Sequence, residues 1–362
     1  MAATVLSFSS FYSLLATLPL YVYNLGGGDL ELGLIMGLFS LGAIVPRPFV
    51  GRYVDARGSK LVIVAGTIVF TLSALLYSWA GSIPLLLALR LFHGVGIAFW
   101  TTGAIALAAD LAPAERRGEA MGLWSISLTL AMAVAPWLGW QAMSLTGFLG
   151  LFILAAAAAA GSFVLALLLP TVPPRTVHPS GGPLLELEVW PAALGAVALT
   201  VTYGAVVSFV SVFAKARGIA DPSLFFTAYA LTLMLSRWQA GKLADKLGRW
   251  ACIIPGMAIV ASGLLLLPYL SGLPVLIASG ILYGLGYGLV HPALMALAVD
   301  LSPPGRQGAG VATFTSSFEL GIVLGSVAMG WVAQVYSYGL MWVVAGLVPL
   351  LSIALLLATV RR

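Results

Sequence analysis

Two charged residues in this chain stand where charge is costly, and the chemistry they could do follows from that cost. Glu319 lies inside the apolar run Gly308–Val335, and Arg90 lies inside Leu85–Ala109. Glu319 is the one acidic residue deep in any predicted helix, about 18 Å along the axis from Gly308 and so near the middle of a bilayer. An acid in that setting is a candidate to load and release protons. A guanidinium in hydrocarbon costs at least about 2.5–3.5 kcal/mol unless it meets water or an anion, so Arg90 is expected to point into the protein interior. His93, on the same helix as Arg90, and His291 titrate in the range a proton relay needs, although a hydrogen-bonded structural imidazole is the commoner use of such a residue.

The polar residues around them fall on helical stripes. Tyr283, Tyr287 and His291 recur at i, i+4 and i+8; Thr315, Ser316, Glu319 and Ser326 share a second face, and Ser125 and Thr129 precede Pro136 on a third. Polar stripes against lipid are penalised, so these are predicted to line a shared aqueous chamber. Tyr12, Trp100, Trp124, Tyr203, Phe314 and Phe318 are candidate aromatic walls, weighed against the commoner roles of ring packing and interface anchoring.

The elements that must carry these residues are membrane helices. Hydrophobic residues make up 61% of the chain and charged residues 8%, against roughly 45–50% and 25% in soluble domains. At about 20 apolar residues per crossing, the length accommodates about twelve helices on short turns. We predict an all-α membrane protein of about twelve transmembrane helices in two pseudo-symmetric six-helix bundles, residues 1–170 and 190–362, joined by a cytoplasmic linker rich in Pro and Gly over 171–189. Helix one is placed at about Ala3–Tyr23, helix two at Leu30–Val50, helices five and six at Glu119–Met143 and Phe148–Leu169, and helix eight at Leu224–Gln239. The opening apolar run has no basic n-region or cleavage site and reads as a retained crossing. The single cysteine, Cys252, rules out an intramolecular disulfide and reads as helix packing.

The division into halves rests on a duplication. Arg47, Gly51, Asp55 and Gly58 return 190 positions later as Arg237, Gly241, Asp245 and Gly248, and each copy is followed by a base, Lys60 or Arg249. A charged, glycine-framed turn repeated between apolar runs implies two homologous halves. With that many crossings, 14 of the 17 Lys and Arg residues fall on one side, and the positive-inside rule then puts both termini and the linker in the cytoplasm of a cell (inner) membrane. The basic pI near 9.4 therefore belongs to turns and forms no stripe on a soluble domain, so no nucleic-acid partner is expected.

The duplicated Gly-x-x-x-Asp-x-x-Gly turn resembles the most specific marker of the major facilitator superfamily, and the likeness runs over essentially the whole chain. The resemblance implies a cytoplasmic gating motif formed by Arg47, Gly51, Asp55, Gly58, Arg237, Gly241, Asp245, Gly248 and Arg249. In it Asp55 would meet the start of helix eleven and bases near Arg116 and Arg117, and Asp245 would meet helix five. The first copy departs from the family pattern at Ala56 and Ser59, where bases are usual. Leu86-x-x-x-Arg90-x-x-His93-Gly94-x-Gly96 is similar to the helix-four motif of proton-coupled members, with His93 where Gln is usual, which implies that Arg90 controls the field at a proton carrier. Ala131-x-x-x-Ala135-Pro136-x-x-Gly139 is similar to the helix-five antiporter motif, with alanines for two glycines and Trp140 for another. Its small face would let a neighbouring helix approach, and Pro136 would bend the rod. Phe318-Glu319-Leu320-Gly321-Ile322 followed by Gly325 resembles a helix-eleven segment of bacterial efflux members. Helix one lacks the acid that some drug antiporters place there, so a two-carboxylate scheme does not carry over.

What the resemblance implies is a secondary transporter of the drug:proton antiporter branch, working by alternating access and exporting a small amphiphilic drug-like compound or metabolite. Its partners would be the substrate, protons and the lipid bilayer, and it would act as a monomer. No cofactor, metal or catalytic residue is expected, because no Gly-x-Ser-x-Gly, His-Glu-x-x-His, metal-spaced His or Cys, or phosphate loop occurs. An intramembrane enzyme is disfavoured on that ground. The alternative is an importer or uniporter of a sugar or organic acid on the same scaffold. Against it, the sequence holds only Asn24 and the glutamines Gln141, Gln239, Gln307 and Gln334, none on a mid-helix cavity face.

Overall fold

The computed structural model describes residues 1–113, 117–172, 186–303 and 306–360, and within them leaves the side chains at 55, 109, 117–121, 238–242, 244–245, 308 and 359–360 undescribed. Every regular element among the described residues is helical. Nine helical spans there are long and apolar enough to cross a membrane, or ten if α1 (Ala2–Leu15) and α2 (Leu18–Asn24), bent by 40°, count as one. The bend interrupts what the hydropathy pattern predicts as a single helix. Pro19 at the start of α2 lacks the N–H that a continuous ladder would need.

A second break divides α3 (Asp29–Ile44) from α4 (Arg47–Arg57), with Pro46 and Pro48 at the interruption. The segment expected to be a charged turn is therefore helix: Gly51 through Arg57 complete α4, and the chain reverses only at Gly58, with φ 85°. The second copy does the same. α9 (Leu224–Leu247) runs past the expected end at Gln239 and stops at Gly248, with φ 87°. Gly51 and Gly241 are accommodated inside their helices, and each helix ends only at its final glycine, because only glycine enters the left-handed region freely.

The remaining helices are α5 (Lys60–Leu76), α6 (Ile83–Leu111), α7 (Arg117–Leu167), α8 (Trp190–Ala216), α10 (Trp250–Leu266), α11 (Leu273–Asp300), α12 (Gln307–Val335) and α13 (Tyr338–Val360). Two predicted helices share the long α7, which breaks at Gly147, where φ is 73° and the backbone is not helical. A single glycine there replaces the expected loop.

Packing divides the chain into two units, one of residues 1–27 and 38–180, the other of 28–37 and 181–362. In the first, α1 packs on α7 and α5 packs on α6 and α7; in the second, α9 packs on α11, α8 on α12, and α10 on α11 and α13. The first two and a half turns of α3 thus belong with the second unit. Small residues set these approaches, as expected where lipid supplies no hydrophobic drive between helices. Gly139 of the helix-five motif abuts the backbone of Ser13 on α1 with no room for a Cβ, and Ala131 and Ala135 are each 1% exposed.

Candidate functional site

In the first unit Arg90 sits 2% exposed on α6. Its guanidinium lies over the Phe39 ring, 4.4 Å from the centroid, and hydrogen-bonds the Tyr77 hydroxyl. That hydroxyl is also 3.0 Å from His93 Nδ1, so one phenol joins the two residues. The His93 ring is fully buried and meets Phe70, Phe39 and Phe11 edge-on at 4.7, 5.3 and 6.4 Å, while its Nε2 finds no hydrogen-bond partner. Ion and rings complement each other, because the face of an aromatic ring attracts a desolvated cation. Gly94 touches the Phe39 backbone with no space for a Cβ, which is how α3 comes close enough to cover Arg90.

The second unit holds a continuous set of rings. Tyr203 lies 5.8 Å from Tyr287, Tyr283 lies 5.8 Å from Tyr287, and His291 stacks on Tyr287 at 6.1 Å and 11°. Phe314 and Phe318 stand edge-on to His291 at 5.8 and 5.3 Å. The i, i+4, i+8 stripe on α11 and the i, i+4 pair on α12 therefore meet at the histidine. Tyr283, Tyr287 and Phe314 are buried, and Tyr283 shares a 3.0 Å hydrogen bond with Thr202.

Glu319 is partly exposed on α12. Gly321 and Gly325 press on the backbone of Val197 and Val201 of α8, and at 100° per residue Glu319 is turned well away from that contact. It instead shares a stripe with Val323, Ser326 and Gly330, at i+4, i+7 and i+11. Those residues receive the α3 segment of this unit: Gly37 approaches Val323 and Val327, Gly33 meets Ser326, and Gly330 meets the Asp29 carbonyl. Glu319 lies one turn beyond the covered part of the stripe.

A match to the model described as Major Facilitator Superfamily covers residues 1–225 and 192–362. The chain belongs to that superfamily. It is 26% identical over 332 residues to an uncharacterized MFS-type transporter of Methanocaldococcus jannaschii, covering 88% of this chain and 86% of the relative. It is 28% identical over 372 residues to the uncharacterized MFS-type transporter YhhS of Escherichia coli K12, covering 97% and 89%. Among solved structures it resembles a mutant of the nucleoside transporter NupG with a TM-score of 0.84 at 14% identity, over 99% of this chain and 98% of that one. The chain is a multi-pass membrane protein with the fold of superfamily transporters.

Of the superfamily's gating motif, Arg47 is half-buried and Arg249 forms a 3.0 Å ion pair with Asp300 at the end of α11. The side chains of Asp55, Arg117 and Asp245, with Gly241 and Arg116, lie outside the described residues. Of the expected aromatic walls in the first unit, Tyr12 stacks on Phe8 at 5.9 Å and Trp124 meets the same ring edge-on at 6.1 Å. Trp100 and Trp124 both line a cavity of about 290 Å³, and both indole N–H groups are buried without an acceptor. Ser125 accepts at its carbonyl from the Thr129 hydroxyl (2.9 Å), and Thr315 donates to the Val311 carbonyl (2.8 Å), so both threonines are back-bonded within their helices.

Several contributors escaped the sequence pattern. Phe11, Phe39, Phe70 and Tyr77, which enclose Arg90 and His93, carry no signal of their own in a chain this apolar. Tyr229 of α9 packs between Tyr283 and Tyr287 at 5.3 and 5.9 Å; a tyrosine inside an apolar run was its only available signal. The end of the predicted linker is anchored, with Glu186 paired to Arg306 at 2.8 Å and its backbone N–H donating to Thr313 at 2.8 Å.

Proposed function

We propose that the chain is a secondary active transporter that works by alternating access and couples proton entry to the export of a small amphiphilic compound, drug-like or metabolic. The observation that carries this reading is the placement of Glu319, an acid on a partly exposed stripe of α12 one turn from the segment that α3 covers. Such a group can exchange a proton while the covered stripe opens and closes. Arg90 is its electrostatic counterpart in the other unit, with His93 and His291 as accessory proton-coupling groups. The aromatic residues Tyr12, Trp100, Trp124, Tyr203, Tyr283, Tyr287, Phe314 and Phe318, with Ser125, Thr129 and Thr315, supply a surface suited to an amphiphile and poor in the amides that bind sugars.

The same reading takes the chain as twelve crossings. The pairs α1–α2 and α3–α4 are one crossing each, α7 is two divided at Gly147, and each other helix is one. It keeps residues 1–170 and 190–362 as the two bundles, the repeated motifs as the cytoplasmic gate, both termini in the cytoplasm of the inner membrane, and a monomer as the working unit.

Protein reconstituted in vesicles with a trapped pH dye tests the coupling. Substrate counterflow is expected to acidify the compartment into which protons move, and Glu319→Gln is expected to lower pH-driven flux at least tenfold while exchange without a pH gradient persists. Unchanged pH-driven flux in that variant would remove Glu319 as carrier. A second reading, uptake of a polar nutrient, draws on the likeness to NupG, a nucleoside transporter. Counterflow of labelled nucleosides or sugars set against lipophilic compounds separates the two.

A further inference from the structure

A groove of about 360 Å³ runs between α4, α5 and α6 within the first unit. Phe49, Val50 and Tyr53 of α4, Leu61 and Val62 of α5 and Phe99 of α6 line it. Val50 and Val62 are buried, whereas Phe49 and Leu61 are 66% and 60% exposed, so the groove opens outward. The chain reverses at Gly58 between α4 and α5, which places the groove at one end of two successive apolar spans. There it is in reach of lipid tails and headgroups together.

Positive charge is gathered on the same walls. The Arg52 guanidinium lies 5.9 Å from the centroid of the Phe49 ring, and that of Arg57 lies 5.5 Å from the centroid of Tyr53. Both rings line the groove, one turn apart on α4, so each cation rests on one of its walls. Arg52 and Arg57 are exposed, and among the described residues neither pairs with an acid. Residues 47–60 hold four bases against the single acid Asp55, a net charge of +3.

The duplication supplies a comparison inside the chain. At the positions 190 residues on, Phe49, Tyr53 and Phe99 are replaced by Gln239, Leu243 and Leu289, and Arg57 by Leu247, although Gly241, Lys242 and Asp245 keep the motif. The aromatic walls and the second stacked cation therefore belong to the first half alone and are not required by the motif that both halves share.

We infer that this groove is a docking site for an anionic phospholipid, one tail against Phe49, Tyr53, Leu61 and Phe99 and the headgroup phosphate on Arg52 and Arg57. A guanidinium presents paired parallel N–H donors that fit two phosphate oxygens, and bases beside an apolar span attract acidic lipids. A zwitterionic lipid brings the same tails without the net charge. A lipid held there bridges α4 and α5 across the Gly58 corner, whether the transported compound is an amphiphile or a nutrient.

The test uses full-length protein in detergent and three probes: dioleoyl phosphatidylglycerol, dioleoyl phosphatidylcholine with the same tails and no net charge, and glycerol phosphate without tails. Thermal unfolding followed by tryptophan fluorescence reads protection, and native mass spectrometry counts retained lipid. Phosphatidylglycerol is expected to raise the melting temperature and to be retained in preference to phosphatidylcholine, and glycerol phosphate is expected to give no protection. Replacing both guanidiniums, Arg52→Gln with Arg57→Gln, is expected to weaken phosphatidylglycerol binding about tenfold, and Arg52→Lys with Arg57→Lys to restore part of it. Phe49→Gln, which installs the residue of the second copy at an exposed position, is expected to weaken it as well. Lys242→Gln removes the base that corresponds to Arg52 in the second copy and is expected to leave binding unchanged. Equal protection by phosphatidylcholine would leave a groove without headgroup recognition, and protection by glycerol phosphate would leave a site for free phosphate. Either result overturns the lipid site, as does unchanged binding in the double Gln variant or an equal loss in Lys242→Gln. The wild-type selectivity is measured without any substitution, so it decides the question even where a variant fails to fold.

Discussion

Gly33 of α3 lies against the carbonyl oxygen of Ser326 on α12 so closely that a Cβ on Gly33 would stand 2.3 Å from it, far inside van der Waals contact. The neighbouring contacts agree: Leu30 N–H donates to Gln334 Oε1 at 3.0 Å, and Tyr338 donates to the Asp29 carboxylate. A side chain at Gly33 must push the two helices apart. Gly33→Val is expected to destabilise the protein by about 1–3 kcal/mol and to lower vesicle flux at least tenfold. Gly37→Ala, which meets the movable Val327 side chain at 3.0 Å, is expected to have a smaller effect. Wild-type melting and flux in Gly33→Val would show that the approach is dispensable.

The Tyr77 hydroxyl holds Arg90 and His93 in one network. Tyr77→Phe keeps the ring and strands the buried His93 Nδ1, at an expected cost of about 1–3 kcal/mol. Chemical or thermal unfolding of the variant reads this directly. A change under about 0.5 kcal/mol, the level of a surface substitution, would mean that the phenol hydroxyl does not hold this network together.

Glu186 is 5% exposed where it pairs with Arg306. Because Arg306 is about a third exposed, with a side-chain exposure of 34%, the pair falls between the surface and buried limits. Glu186→Gln is expected to cost about 1–3 kcal/mol. Protease cleavage in the linker region should accelerate in the variant, since the anchor of residue 186 at the start of α12 is weakened. Equal cleavage rates would reduce this pair to a surface ornament.

In the helix-five motif the glycine and the alanines should respond differently. Gly139→Val has no space against Ser13 and is expected to lower the yield of folded protein sharply. Ala131→Gly and Ala135→Gly restore the family's usual residues and are expected to cost only about 0.5–1 kcal/mol each. Parallel size-exclusion and melting profiles of the three variants would decide it, and tolerance of Gly139→Val would argue against close α1–α7 packing.

The sequence disclosed those features whose cost is set by the bilayer. A charge in an apolar run is conspicuous whatever surrounds it, so Arg90 and Glu319 were visible from the sequence. Apolar neighbours were not legible. In a membrane both the lipid-facing and the protein-facing sides of a helix are hydrophobic, so periodicity could not select Phe39 and Phe70 as the residues that cage Arg90 and His93. The allegiance of residues 28–37 was hidden for a related reason: Gly33, Gly37 and Gly330 signal their role only through the absence of a side chain. The helical character of Gly51–Arg57 was missed because charge and glycine were read as a turn, whereas one glycine at φ 85° does all the reversing.

That reversal carries a consequence of its own. Gly58 and Gly248, 190 residues apart, hold φ at 85° and 87°, while the residues around them have drifted from Ala56 and Ser59 to Lys246 and Arg249. The copies have kept a mirror-image backbone well more faithfully than their ionic lettering. A D-alanine introduced at either corner by chemical ligation should be welcomed where L-alanine is resisted by about 1 kcal/mol, so the trait these repeats still hold in common is chirality.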